Sequence, residues 1–426
     1  MQRGDPLYQQ YIKILQEELR PAMGCTEPIA LALAGAKARQ VLGKLPRKIR
    51  LFVSGNIIKN VKSVIVPNTG GLHGLGAAVC AGIAAGDPDR ELQVISAISR
   101  EDQPKIRSYL ETVDLKIEPS LSKLVFDIDL TVSEGEDSVR LRIVNHHTNI
   151  VLIEKNGKAL LKHSFEESSE DALTDKSCLN VKSIVEFADA LDVKDIEDTV
   201  GEQILRNMEI AQEGLSHDWG ANIGSVIMKH QGSTLSKRAC AYAAAGSDAR
   251  MSGCEKPVII VSGSGNQGIT ASVPVAVYAK ELGCSREQTL RAVALSDLIT
   301  LHQKSGIGRL SAYCGAISAG CGAGAGIAYL LGGDEQAIAH TVVNAIAILS
   351  GTICDGAKPS CAAKIAAAVD AGVLGYHMYL DKQQFYGGDG IVTKGVDDTV
   401  HNVGILAREG MRETDRTILD IMLHNC

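Results

Sequence analysis

Eleven cysteines in 426 residues are the side chains best able to do chemistry, and two of them frame a short loop. Cys354 and Cys361 lie in the segment GTICDGAKPSC, where two glycines and a proline predict a loop between helices. In a helix this spacing would place the sulfur atoms roughly 10 Å apart, whereas in a loop they can converge. Ser360 is a suitable N-cap, so Cys361 is expected in the next helix's first turn, where backbone N–H groups favour a thiolate. The pair is compatible with a metal site or a nucleophile. The alternative is that both thiols simply pack at a helix junction.

Two further cysteines lie beside predicted turns. Cys314 follows a loop around Gly306 and is expected early in a helix, while Cys321, further along the same face, is interpreted as packing. Cys25 precedes Glu27-Pro28, a pattern typical of a helix start, and a helix N-terminus can depress its pKa. Cys25 therefore fits a fourth ligand, a base or a loop thiol. Three cysteine ligands on a 4Fe-4S cluster would leave one iron open as a Lewis acid.

A glycine-rich loop, SGSGNQG at 262–268, is a candidate substrate-binding element. It follows an apolar run and precedes a helix predicted to begin near Ile269 or Thr270. Ser262, Ser264 and Asn266 can therefore bind a carboxylate at a helix N-terminus. The glycines also match a dinucleotide fingerprint, but the corresponding acidic residue lies in a helical stretch rather than at a strand end. A plain tight turn is the other alternative.

A second polar loop, NTGGLHG at 68–74, adds Asn68, Thr69 and His73 as candidate substrate-binding residues, although a lone histidine is more often structural. Lys358, between two candidate ligands, can pair with a substrate carboxylate or offset cluster charge. Cys426, the final residue, would reach the open iron only if the tail folded back, and an ordinary terminal thiol is the simpler interpretation.

The helices and strands predicted from the sequence indicate an α+β fold with three parts, and these elements must position the candidate residues. Residues 1–90 contain an amphipathic helix (Pro6–Leu19) and a strand (Lys48–Val53), and are expected to pack with the catalytic domain. Residues 91–180 predict a small α+β domain with an antiparallel sheet and an acidic linker, Phe165–Lys176. Residues 181–426 predict a catalytic bundle of helices rich in small residues. The expected elements of the middle part are the helix Lys105–Thr112 and the strands Val94–Ser99, Leu115–Ile117, Lys123–Val132, Val139–Asn145 and Ile150–Lys155.

The bulk composition excludes several classes of protein. The net charge of −7 is spread along the chain, and no Lys/Arg cluster suited to nucleic acid is present. The chain has neither a secretory signal nor an apolar run long enough for a bilayer, so we expect a cytoplasmic protein without membrane contact. An odd number of irregularly spaced cysteines disfavours a disulfide framework. The small-residue helices are compatible with a homodimer.

Three motifs together closely resemble the L-cysteine desulfidase family, which is related to the α chain of iron–sulfur L-serine dehydratases. They are Gly24-Cys25-Thr26-Glu27-Pro28, the loop 262–268 and the Cys354–Cys361 segment, and the resemblance runs essentially end to end. It implies one 4Fe-4S cluster per chain held by Cys314, Cys354 and Cys361, with Cys25 as acceptor of the α-proton. The implied reaction converts L-cysteine, a small amino acid, to pyruvate, ammonia and hydrogen sulfide.

Other functions remain open from the sequence. L-Serine dehydration would use the same machinery, because only the β-substituent differs. A non-catalytic iron–sulfur or zinc sensor is a different class, since three cysteines and a spare thiol also suit tetrahedral zinc. No lysine lies in a convincing context for pyridoxal phosphate, so that cofactor is not expected.

Overall fold

The computed structural model describes residues 1–165 and 173–424, and it confirms the predicted α+β class. The predicted linker falls largely on residues 166–172, and Cys426 follows residue 424, so both lie outside the described residues. The α-helices are α1 (Pro6–Glu18), α2 (Thr26–Leu42), α3 (Gly55–Val61), α4 (Gly74–Ala85), α5 (Gln103–Thr112), α6 (Val181–Ala190), α7 (Glu202–Ser216), α8 (Ile223–Gln231), α9 (Leu235–Met251), α10 (Gly265–Leu282), α11 (Arg286–Ile307), α12 (Gly315–Leu330), α13 (Glu335–Leu349), α14 (Cys361–Leu380), α15 (Val396–Ile405) and α16 (Arg412–His424). The strands are β1 (Pro21–Met23), β2 (Lys48–Val53), β3 (Asp114–Pro119), β4 (Asp127–Glu134), β5 (Asp137–Val144), β6 (Ile150–Lys155), β7 (Lys158–Lys162) and β8 (Pro257–Ile259).

A six-stranded sheet with the order β3-β2-β4-β5-β6-β7 forms most of the N-terminal half. Strands β4 to β7 pair antiparallel, as expected for residues 91–180. β2, from the preceding part of the chain, runs parallel to β3 and antiparallel to β4, so the whole sheet is mixed. The parallel pairing arises because β2 and β3 are joined by a long crossover through α3, α4 and α5. The predicted strand Val94–Ser99 is wrong. That segment forms turns, and its apolar residues Val94 and Ile95 are fully buried without pairing into the sheet.

Helix α2 links the sheet to the rest of the molecule. It packs against β4 and β5 on one side and against α4 on the other, so nearly all of its residues are buried. Its sequence is accordingly apolar on all faces rather than amphipathic, as expected for a helix surrounded by protein. The N-terminus of α2, which follows Cys25, is thereby fixed at the boundary between the sheet and the C-terminal helices.

Helix α12 is the centre of the C-terminal bundle and packs against α10, α11, α13 and α14. Its glycines lie where neighbouring backbones approach it. A Cβ on Gly324 would lie 2.7 Å from the backbone of Gly372 in α14, and a Cβ on Gly322 would lie 2.4 Å from the Ser296 carbonyl oxygen in α11. Small residues therefore let α12 contact helices on opposite sides at close range. Of the helices in the described residues, none is both long and apolar enough to cross a lipid bilayer.

Substituting Gly324 by valine is expected to lower the free energy of unfolding by about 3 kcal/mol, because the added side chain must push α12 away from α14. Gly4→Val is the matched control, since no atom lies within 4 Å of a Cβ at that position. Denaturant unfolding of the two variants measures the difference. Equal stabilities would contradict the close packing of α12 on α14.

Candidate active site

A two-stranded ribbon brings two predicted loops together. β1 pairs antiparallel with β8, with Met23 opposite Pro257. β1 leads directly to Cys25, the N-cap of α2, and β8 leads to the loop that ends at Ser264, the N-cap of α10. Thr26 Oγ1 donates a hydrogen bond to the Gly263 carbonyl oxygen at 2.9 Å, which joins the loops directly. Residues far apart in sequence thus meet because one short ribbon aligns the chain before both helices.

A second pair of loops meets on the other side of the site. The Cys314 amide donates to the Thr352 carbonyl oxygen at 3.0 Å, and the Cys354 amide donates to the Ala312 carbonyl oxygen at 2.6 Å. These two bonds place the N-terminus of α12 beside the loop that follows α13. Gly356, with φ of 97°, then turns the chain toward α14. The predicted loop between helices is confirmed, and it places Cys314 next to Cys354.

Cys25, Cys314, Cys354 and Cys361 all line one partly enclosed cavity of about 110 Å³. Cys361 is the first residue of α14, as predicted, and contacts a small apolar cluster that includes Cys25. Cys321, predicted to be a packing residue, is buried within α12 and does not line this cavity. The four cysteines singled out in the sequence analysis therefore converge in space.

Three of these thiols fit the donor set of a metal cluster. Burial raises the pKa of Cys314 to about 12, and neighbouring Cys354 adds to the rise. Burial also raises the pKa of Cys361. Thiols crowded this way release protons when a cationic metal group binds, which offsets the cost of placing thiolates together. Within residues 1–165 and 173–424, no three His, Cys, Asp or Glu side chains are placed to hold a single metal ion.

Glu27 is a further candidate functional residue, for which the sequence indicated only a helix start. Its carboxylate is buried and accepts hydrogen bonds from Cys25 Sγ at 3.2 Å and from Asn60 Nδ2 at 3.1 Å. His147 Nε2 lies 4.0 Å from Glu27 Oε1. Burial alone would raise the pKa of Glu27, but His147 and Cys25 stabilise the charged form and lower the pKa to about 2. Glu27 is thus a charged acceptor beside Cys25.

The pKa of Cys25 lies well above its ordinary value, first because the thiol is buried and second because Glu27 is negatively charged. The predicted depression of this pKa is wrong. The thiol does lie at a helix N-terminus, but removal from water and a neighbouring carboxylate outweigh the helix dipole. Cys25 therefore holds its proton in this structure and donates it to Glu27 in a hydrogen bond.

Ser262, Ser264 and Asn266 of the segment 262–268 line the cavity. Their binding of a carboxylate stays a prediction. Helix α10 begins at Gly265, earlier than the predicted start near Ile269 or Thr270. Residues 265–268 of the predicted loop are therefore the first helical turn, whose free N–H groups are a favourable arrangement for an anion.

The other candidate substrate-binding residues do not line the cavity. Asn68 Nδ2 donates to the Ile95 carbonyl oxygen at 2.9 Å, and Thr69 Oγ1 donates to the Val66 carbonyl oxygen at 2.7 Å. These bonds hold the loop 68–74 against the backbone. His73 is exposed as the N-cap of α4.

Lys358 is also absent from the cavity lining, although its neighbours Gly356 and Ala357 belong to it. Lys358 Nζ pairs with Asp355 Oδ1 at 2.5 Å, and Lys364 Nζ contacts the same oxygen at 2.6 Å. Lys358 from the loop and Lys364 from α14 thus both neutralise Asp355.

Two further residues of the cavity, His147 and Arg250, were not predicted from the sequence. His147 lies in the turn between β5 and β6, so the sheet contributes a side chain to the cavity. Its ring packs edge-on against Phe126 at a centroid distance of 4.9 Å. Arg250, near the end of α9, is 2% exposed and donates from Nη1 to Asn266 Oδ1 at 3.1 Å. Neither residue lies in a recognisable motif, and only the tertiary fold reveals them.

The chain is similar to several proteins along its length. The family model described as serine dehydratase alpha chain matches residues 89–420, which include three of the four cavity cysteines but not Cys25. A UPF0597 protein of Desulfitobacterium hafniense is 55% identical over 426 residues, covering 100% of this chain and 99% of the relative. A UPF0597 protein of Lachnoclostridium phytofermentans is 47% identical over 420 residues, covering 98% of this chain and 100% of the relative. A UPF0597 protein of Treponema denticola is 42% identical over 422 residues, covering 98% of each chain.

Proposed function

Since the chain belongs to the serine dehydratase α chain family, we propose that it is an iron–sulfur lyase that removes the β-substituent of a small amino acid, with L-cysteine as substrate. The products are pyruvate, ammonia and hydrogen sulfide. The observation that carries the proposal is the convergence of four cysteines on one cavity, one of them hydrogen-bonded to a buried carboxylate.

Cys314, Cys354 and Cys361 would hold a 4Fe-4S cluster, because the start of α12 and the connection between α13 and α14 bring all three to the same cavity. When bound, the cluster supplies an open iron as a Lewis acid, which suits a soft sulfur leaving group. Three protein ligands on four irons give such an open position, whereas four would close it.

Cys25 is the group that takes the α-proton. Its sulfur lies in the cavity lining, and its own proton points to Glu27 Oε2. As the sulfur accepts a proton from the substrate, Glu27 accepts the thiol proton, so no isolated charge develops on the buried sulfur. Cys25 and Glu27 are two residues apart at the start of α2, so the helix fixes the position of the thiol relative to the carboxylate. The enamine that leaves the site is hydrolysed in water to pyruvate and ammonia.

The loop 262–268 orients the substrate. Backbone N–H groups at the start of α10 and the side chains of Ser264 and Asn266 provide donors for a carboxylate. A cavity of about 110 Å³ restricts the site to a small molecule and limits access of water.

The test compares substrates on anaerobically reconstituted protein. We expect kcat/KM for sulfide release from L-cysteine to exceed that for pyruvate release from L-serine by about tenfold or more, and the D-isomers to be inert. L-Serine is the second candidate substrate, because the family model that matches this chain is described as serine dehydratase alpha chain. Higher kcat/KM with L-serine would replace cysteine by serine in the proposal. A fully assembled cluster with no turnover of either amino acid would contradict a lyase.

A further inference from the structure

Arg250 is a buried cation without an acidic partner in the part of the chain that the structure describes. Its side chain is 2% exposed, and within that part its Nε atom has no hydrogen-bond partner. Among the described residues, no carboxylate oxygen lies within 4.0 Å of the guanidinium nitrogens, and Nη1 donates a hydrogen bond to Asn266 Oδ1 at 3.1 Å. Burying a guanidinium without a counter-ion is costly, so such a site favours an anionic ligand.

A second arginine of the same cavity shows the contrast. Arg309 Nη2 bonds to Glu18 Oε1 at 2.9 Å, and the Glu18 side chain is 3% exposed. Arg309 therefore has an acidic partner within the protein, which it shares with Lys176, whereas Arg250 has none among the described residues. Of these two cavity arginines, Arg250 is the one that a ligand can neutralise.

The segment 262–268 packs closely against the guanidinium of Arg250. A Cβ on Gly265 would lie 2.3 Å from Arg250 Nε and 2.7 Å from Cζ, so only glycine permits the loop to cover the arginine this closely. Asn266 then accepts its hydrogen bond from one edge of the guanidinium. The positive charge of Arg250 also acts on Cys25, where it opposes the rise in the thiol's pKa, so the two side chains are neighbours.

We infer that Arg250 binds the α-carboxylate of the substrate and makes the site specific for amino acids over the corresponding amines. This inference rests on the proposed function, because it names the group that recognises the substrate. The planar guanidinium can bind a carboxylate through two parallel hydrogen bonds, which fixes orientation as well as charge. The substrate's Cα–H bond would then have a fixed orientation relative to Cys25, which lines the same cavity.

The experiment measures binding of two thiol ligands to reconstituted protein by calorimetry. 3-Mercaptopropionate keeps the thiol and the carboxylate of cysteine, whereas cysteamine keeps the thiol and the amine. In Arg250→Met we expect the affinity for 3-mercaptopropionate to fall about 100-fold and that for cysteamine to change by less than about threefold. Arg309→Met is the matched control, and we expect it to change the ratio of the two affinities by less than about threefold. Visible absorption of the cluster should be the same in both variants.

Equal losses for both ligands would overturn the inference and assign Arg250 to the cluster or the fold. An unchanged affinity for 3-mercaptopropionate would overturn it as well. If Arg250→Met does not fold, Arg250→Lys keeps the charge without the two-pronged geometry and should lose about tenfold for the carboxylate ligand alone. Because binding requires no turnover, these results remain decisive if neither L-cysteine nor L-serine is eliminated.

Discussion

Replacing Cys361 by alanine is expected to prevent assembly of the iron–sulfur cluster and to reduce lyase activity to background. Cys361 starts α14 and faces the same cavity as Cys314 and Cys354. The loss should exceed the roughly 10- to 100-fold cost of removing a group that only supports a metal ligand. Iron and sulfide content after anaerobic reconstitution, together with visible absorption, measure cluster assembly independently of activity.

Cys321→Ala is the matched control for this prediction. Cys321 is also a buried cysteine of the bundle, 1% exposed, but it packs inside α12 away from the cavity. We expect full cluster content and a loss of about 1 kcal/mol in the free energy of unfolding. A Cys361→Ala protein with normal iron content, or a Cys321→Ala protein without iron, would contradict the assignment of ligands.

Local sequence patterns were sufficient to predict the helices and strands in which buried and exposed residues alternate with a regular period. The strands Lys48–Val53 and Ile150–Lys155 were predicted with the bounds that the structure shows, because buried and exposed residues alternate along them. The helix predicted over Lys105–Thr112 also forms, and it begins two residues earlier, at Gln103. These segments carry their own signal, and tertiary contacts only reinforce it.

Segments whose pattern is set by distant contacts were predicted less well. Val94–Ser99 has the apolar, β-branched residues of a strand, yet it is buried against other elements as irregular turns. Strand β7 (Lys158–Lys162) was missed because it is an edge strand whose residues are almost all exposed. The parallel pairing of β2 with β3 depends on the path of the chain through three helices, which no local pattern records.

The candidate site shows the same division. The cysteines were identifiable because their loops contain glycine, proline and helix-start residues. The electrostatics of the site could not be predicted from the sequence. The pKa of Cys25 is raised first by burial under elements distant in sequence and second by the charge of Glu27. Arg250 and His147 have no motif around them, and they reach the cavity because tertiary packing places His147 beside Gly263 and Arg250 beside Gly265.

Replacing Cys25 by alanine is expected to lower kcat by about 10³-fold while leaving the cluster assembled, because it removes the proton acceptor and no metal ligand. KM for the substrate should change by less than about threefold, since the groups that bind the substrate remain. Steady-state kinetics together with visible absorption separate the two effects. Glu27→Gln should give a smaller loss, about tenfold, because the amide still orients the thiol but no longer accepts its proton.

Cys80→Ala is the control for the removal of a buried thiol, since Cys80 is fully buried in α4 and lies outside the cavity lining. We expect its kcat to match that of the unmodified protein. If Cys25→Ala loses the cluster, Cys25 is a ligand rather than a base, and the open iron required for the reaction is absent. If it keeps both cluster and activity, the α-proton goes elsewhere, and His147 becomes the next group to test, because it lies 4.0 Å from the same carboxylate.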